Sequence, residues 1–178
     1  MNYRTKLSSR IGMDDILELT YLVQGSDKEK QKLYNLLFDE DDMIAYQTAW
    51  VLTHFSLHEN KWLYSKQNEL IEELFVCQHA GKRRLLLSLL YRQPLTNPPR
   101  VDFLDYCLDK MMSQKELPWT RALCIKLAYE LYRQIPELLQ ELRTMLEIME
   151  PSLLTSAQRG VRENVLKAMR TRRSLQLY

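Results

Sequence analysis

His54 and His58 stand four residues apart, the spacing that puts two imidazoles on one face of a continuous helix, as a pair of metal ligands requires. A zinc enzyme needs more than this. The metalloprotease order places Glu directly after the first histidine, whereas here Phe55 follows His54, Glu59 follows His58, and no third ligand has a suitable spacing. The pair reads as a polar helix end entering the turn before Trp62. Asp39, Glu40, Asp41 and Asp42 could act as paired catalytic carboxylates or as a calcium loop, but such a loop alternates its ligands around a glycine, and none is present. Capping explains the run better: Asp41 or Asp42 can accept orphan N–H groups of the following helix, where negative charge is favoured by about 0.3–1 kcal/mol. Cys77 lies two residues before His79, yet close neighbours on a helix point to different faces, so no polarised thiol follows. Glycines 12, 25, 81 and 160 are isolated, which removes phosphate-cradling loops and dinucleotide fingerprints. The expectation is a protein without metal, cofactor or enzymatic centre.

Binding chemistry has more candidates. Trp50, Trp62, Trp119 and ten tyrosines, with six basic residues against Glu163 alone from Thr155 onward, admit a nucleic-acid reading in which aromatic residues and a basic groove hold a base. The bland alternative places Trp50 at a repeating buried position and sets Trp62 and Trp119 at helix starts. Arg170, Arg172 and Arg173 also suit a solvated helix C-terminus, where cations complement the helix dipole.

The elements that must position these groups are helices. With 46% hydrophobic and 27% charged residues, only four Gly and six Pro, and a formal charge of +2, the 178-residue chain has the composition of an ordered helical protein. A single domain spanning 1–178 is expected. Three cysteines, 77, 107 and 124, fit neither a disulfide framework nor a zinc knuckle and read as reduced core thiols. The start carries scattered charges, and the densest apolar run, Leu85 to Tyr91, falls far short of the roughly 20 residues that span a bilayer. A cytoplasmic protein is expected.

Asp14 and Asp15 open an amphipathic run that Gly25 stops, a cap helix over 13–24. Apolar positions at helical spacing then give pairs over 28–57, 62–93, 99–133 and 135–172, punctuated by His79-Ala80-Gly81, Pro94, Pro98-Pro99, Pro118, Pro136 and Pro151. Pro98 and Pro99 are expected inside the first turn of their helix. No period-two alternation or Asn-Gly turn predicts a strand. Taking Tyr46, Arg84, Arg121 and Arg162 as equivalent, the third residue onward is Ala49, Leu87, Cys124 and Val165, the fourth is Trp50, Ser88, Ile125 and Leu166, and the sixth is Leu52, Leu90, Leu127 and Ala168. Near-constant spacing of about 40 residues is the mark of stacked helical hairpins.

On these segments, namely Asp42 to Leu52, His79 to Leu87, Pro118 to Cys124 and Gln158 to Arg162, the chain resembles the HEAT and armadillo-like repeat families, and in particular small bacterial HEAT-like proteins. The resemblance covers about Lys28 to Arg172 and implies an all-α, α–α superhelix of about four antiparallel hairpins with an N-terminal capping helix. Family members often pair the repeated arginine with an aspartate of a neighbouring repeat and line a concave face with their second helices. That implies Arg83, Arg84, Arg121, Lys126 and Arg162 near the inner groove, and a non-enzymatic scaffold holding a protein or peptide, acidic or phosphorylated in character. The alternative is a nucleic-acid-binding relative such as a DNA glycosylase. The sequence does not fix the oligomeric state.

Overall fold

Apolar residues at helical spacing, few glycines and frequent N-cap side chains give helices throughout; the computed structural model describes residues 1–178 and contains no strand. The chain divides into two units, Met1–Gln93 and Pro94–Tyr178. The first holds α1 (Tyr3–Leu7), α2 (Met13–Val23), α3 (Asp27–Asn35), α4 (Asp42–Thr53), α5 (Leu57–Asn60), α6 (Gln67–Val76) and α7 (Ala80–Tyr91). The second holds α8 (Val101–Met112), α9 (Pro118–Tyr132), α10 (Pro136–Ile148) and α11 (Ser156–Ala168). No helix is long and apolar enough to cross a membrane.

In the first unit, α2 ends where Gly25 adopts φ +80°, the left-handed conformation that stops a helix at least cost with glycine. Ser26 caps α3, and Asp41 Oδ1 accepts from the N–H of Met43 at 2.9 Å and of Ile44 at 3.4 Å to start α4. Asp39 of the same run is also structural in use, pairing with Arg4 at 2.8 Å. The helical pair expected over 62–93 does not begin as an α-helix, because Lys61–Lys66 winds as a tighter 3₁₀ segment before α6. There Trp62 meets Tyr34 edge-on at 5.7 Å, and the Lys66 ammonium lies over both rings. Gln47 fixes the N-terminal segment to α4, donating Nε2 to the carbonyls of Leu7 at 2.8 Å and Ser9 at 2.9 Å and accepting the Ile11 N–H at 2.9 Å. The second helices α4 and α7 pack together.

The second unit is built around α9. Eleven of its fifteen residues are buried, because α8, α10 and α11 all pack on it. Pro118 and Pro136 occupy first helical positions, where the missing N–H costs nothing. By contrast, Pro98 and Pro99 precede α8, which begins at Val101. Thr155 and Gln158 form a reciprocal capping box at the start of α11.

The repeat register is visible in burial. At the third position Ala49, Leu87, Cys124 and Val165 are fully buried, and so at the sixth are Leu52, Leu90 and Leu127, with Ala168 nearly so. Cutting Leu127 to Ala would cost about 2–5 kcal/mol. The fourth position behaves differently: Ile125 is buried, but Trp50, Ser88 and Leu166 are half-exposed. Trp50 is therefore not the core residue its hydrophobicity suggests, since α4 buries Ile44, Ala45, Thr48, Ala49, Val51 and Leu52 on the opposite side.

Candidate binding surfaces

The arginines at the heads of the second helices serve mainly to close hairpins. Arg121 is 7% exposed, and its Nε donates to the Met111 carbonyl at 3.1 Å, in the last turn of α8. Arg162, half-buried, donates Nε to the Leu146 carbonyl at 2.7 Å in the last turn of α10. In the second hairpin the equivalent role falls to Arg83, one residue before the position aligned by spacing, whose Nη1 reaches the Cys77 carbonyl at 3.0 Å. Each guanidinium satisfies an orphan carbonyl and complements the negative end of the preceding helix. These bonds go to main chain, not to the aspartates of a family ladder. The Arg121 side chain, buried and bonded, is unavailable to a partner, while Arg84 is half-exposed with no bonding partner and Lys126 is half-exposed on α9.

In the first unit the open part of the α4–α7 pair is aromatic and basic. Tyr46 and Trp50 on α4 and His54 at its C-cap recur every four residues, all half-exposed, with ring centroids 6.4 Å apart between each neighbouring pair. Tyr46 also lies 5.2 Å from the His79 ring. A Cβ on Gly81 would come within 2.9 Å of the Tyr46 ring, so glycine is what lets α7 start against it. This explains why the first repeat carries tyrosine at its head: Tyr46 seats the next repeat's second helix. From Gly81, helical spacing carries the same face to Arg84 and Ser88. In the second unit, the non-buried residues of α9 are Pro118, Trp119, Leu123 and Lys126, the last three spaced by four and three residues on one face. Trp119 is 61% exposed, not packed under its helix start.

The catalytic constellations do not assemble. His54 Nδ1 sits 2.9 Å from the Trp50 carbonyl, His58 lies exposed on α5, and no three His, Cys, Asp or Glu side chains converge as metal ligands would. His79 caps α7, its Nδ1 accepting the Lys82 N–H at 3.0 Å. The three cysteines are free and buried. Burial pushes the Cys77 thiol up, and burial with the adjacent Cys124 thiol pushes Cys107 well up, so neither is a ready thiolate.

Sequence spacing missed the last residues of the chain. Glu130, buried on α9, accepts from Leu175 N at 2.6 Å, Ser174 Oγ at 2.9 Å and Arg133 Nε at 2.9 Å, while Tyr129 Oη donates to the Arg173 carbonyl at 2.7 Å. The available signal was a glutamate on an otherwise apolar helix face.

A family model described as HEAT repeat domain matches residues 3–169. Neither a curated protein nor a solved structure matches the chain. With hairpin helices buried at a recurring register and a family match over nearly the whole length, the chain belongs to the HEAT repeat family.

Proposed function

We infer that this protein is a non-enzymatic scaffold that holds a protein or peptide against its second helices. The observation that carries this reading is the α4–α7 face, where Tyr46, Trp50 and His54 stand half-exposed beside a helix offering the unpartnered Arg84. Rigid aromatic side chains and arginine are the groups that dominate protein recognition, because they bury large area at low entropic cost and add directed hydrogen bonds. A single cation among rings favours a partner with acidic or phosphorylated side chains. Lys126, with Trp119 and Leu123, gives the second unit a face of the same composition; Arg83, Arg121 and Arg162 hold the hairpins. Three unpaired cysteines suit a reducing, cytoplasmic setting.

The test is crosslinking in native lysate, identification of what is retained, and repetition with Arg84→Glu and Trp50→Ala. Loss of the identified partner at an unchanged unfolding midpoint supports the reading; retention by both variants overturns it. The same aromatic and basic pairing suits a nucleic acid, the competing reading. That predicts retention on duplex DNA at about 50 mM salt, falling steeply as salt rises.

A further inference from the structure

Eight of the fourteen arginines are engaged, and Arg10, Arg84, Arg143, Arg170, Arg172 and Arg173 are not. Arg83, Arg92, Arg121, Arg133, Arg159 and Arg162 donate to main-chain carbonyls, and Arg4 and Arg100 pair with carboxylates. Arg143, Arg170 and Arg172 make no ion pair and no side-chain hydrogen bond. All three nevertheless line one cleft of about 300 Å³ on the α10–α11 hairpin, and no carboxylate is among its walls. Like charges gathered in one cleft oppose folding, and within its walls nothing acidic offsets them, so their convergence suits a ligand that brings negative charge with it.

The cleft is held in shape. Leu139 and Met169, both buried, are among its walls, while Arg170 and Arg172 stand exposed to an incoming ligand. Arg172 adopts φ +52°, a conformation that disfavours any residue but glycine. Two main-chain bonds keep it there, from Arg133 Nη1 to the Arg172 carbonyl at 3.1 Å and from Tyr129 Oη to the Arg173 carbonyl at 2.7 Å, and Glu130 anchors the next two residues.

Planar guanidinium forks match the oxygens of a phosphate, and three of them suit one dianion. We propose that the Arg143–Arg170–Arg172 cleft binds a phosphate monoester carried on a peptide segment. A nucleic-acid backbone fits it less well. The adjoining cleft sets Glu147 and Glu163 against Lys167 and the shared Arg143 and Arg170, so most of its positive charge is offset and it offers little to the next phosphates of a polyanion, and neither cleft offers a ring on which a base could stack. The site lies within the second unit and stands independently of the α4–α7 face.

The test titrates the full chain with inorganic phosphate while the arginine Nε–Hε resonances are followed. A peptide library carrying one central phosphoserine, its unphosphorylated copy and duplex DNA are then compared for binding. Saturable shifts at Arg143, Arg170 and Arg172 are expected, with the phosphoserine library retained at least about tenfold over its copy and each of Arg143→Gln and Arg170→Gln weakening binding about tenfold. Arg172→Gly separates binding from folding, because glycine suits the backbone there: affinity should fall while the unfolding midpoint holds or rises. Lys28→Gln, at an exposed lysine of the first unit, should leave phosphate binding unchanged. Absence of saturation, equal retention of the two libraries, or duplex DNA binding tighter than the phosphoserine library and lost in the same variants would each overturn the proposal.

Discussion

Replacing Arg121 with Met tests whether the head of the repeat is structural. Methionine keeps the aliphatic stem in its buried slot and deletes the donor that reaches the Met111 carbonyl at 3.1 Å. A hydrogen bond from a charged donor contributes about 1.5–3 kcal/mol, and a cation beside a partly buried helix C-terminus up to about 2 kcal/mol. The two effects overlap here, since the carbonyl is one of those that give the helix end its charge. Removing a buried guanidinium also relieves its desolvation, which pulls the net value down. The expected loss is about 2 kcal/mol, confined to the second unit. Hydrogen exchange followed by mass spectrometry reads this directly: amides of α8 and α9 should exchange about thirtyfold faster when opening is limiting, because each 1.4 kcal/mol is tenfold. Peptides from α4 and α7 serve as the internal control. Arg84→Met, which removes a half-exposed guanidinium without a partner, should change stability by less than about 0.5 kcal/mol. Protection of α8 and α9 within about threefold of wild type, or an equal effect from Arg84→Met, would refute the assignment of Arg121 to hairpin closure.

Glu130→Ala removes the acceptor for Ser174, Leu175 and Arg133 together, so the last residues should detach and trypsin should cut after Arg172 and Arg173 at least about tenfold faster; an unchanged cleavage rate would show that Glu130 does not hold them. Acid should weaken the first unit through Glu59, whose carboxyl is held below the usual glutamate range chiefly by the hydrogen bond from Lys30, against the opposing effect of burial. A depressed folded-state pKa contributes stability above the unfolded value, about 4.3, and loses it as pH falls through the folded value. Wild type should therefore exceed Glu59→Gln in urea midpoint at neutral pH and converge with it in acid. A gap that stays constant across that range would count against the pairing.

The hairpins were legible because burial on a helix repeats every 3.6 residues, and the third and sixth positions of each repeat obey that period without exception. Exposure of Trp50 and Trp119 was not legible. Hydrophobicity argues for burying both rings, and only the placement of neighbouring helices decides that α4 turns its other side inward and that α9 leaves Trp119 open. The role of the repeated arginine was hidden for a different reason, since a main-chain carbonyl leaves no residue type to search for. A sequence signal for it does exist, in what the helix ends lack. Helices α6, α8 and α10 are followed by Cys77, Ser113 and Met149 in extended conformation, where a glycine could have turned the backbone to satisfy the last carbonyls. Without that device the carbonyls need a donor from elsewhere, and the first two turns of the next helix supply Arg83, Arg121 and Arg162. Arg92 does the same for the end of α4, giving Nη1 to Thr53 and Nη2 to Phe55, each at 2.6 Å. A repeat protein whose hairpin helices end without glycine thus places arginines early in its second helices for folding, and the cations that meet a partner are drawn from those left over, among them Arg84 in the first unit and Arg143, Arg170 and Arg172 in the second.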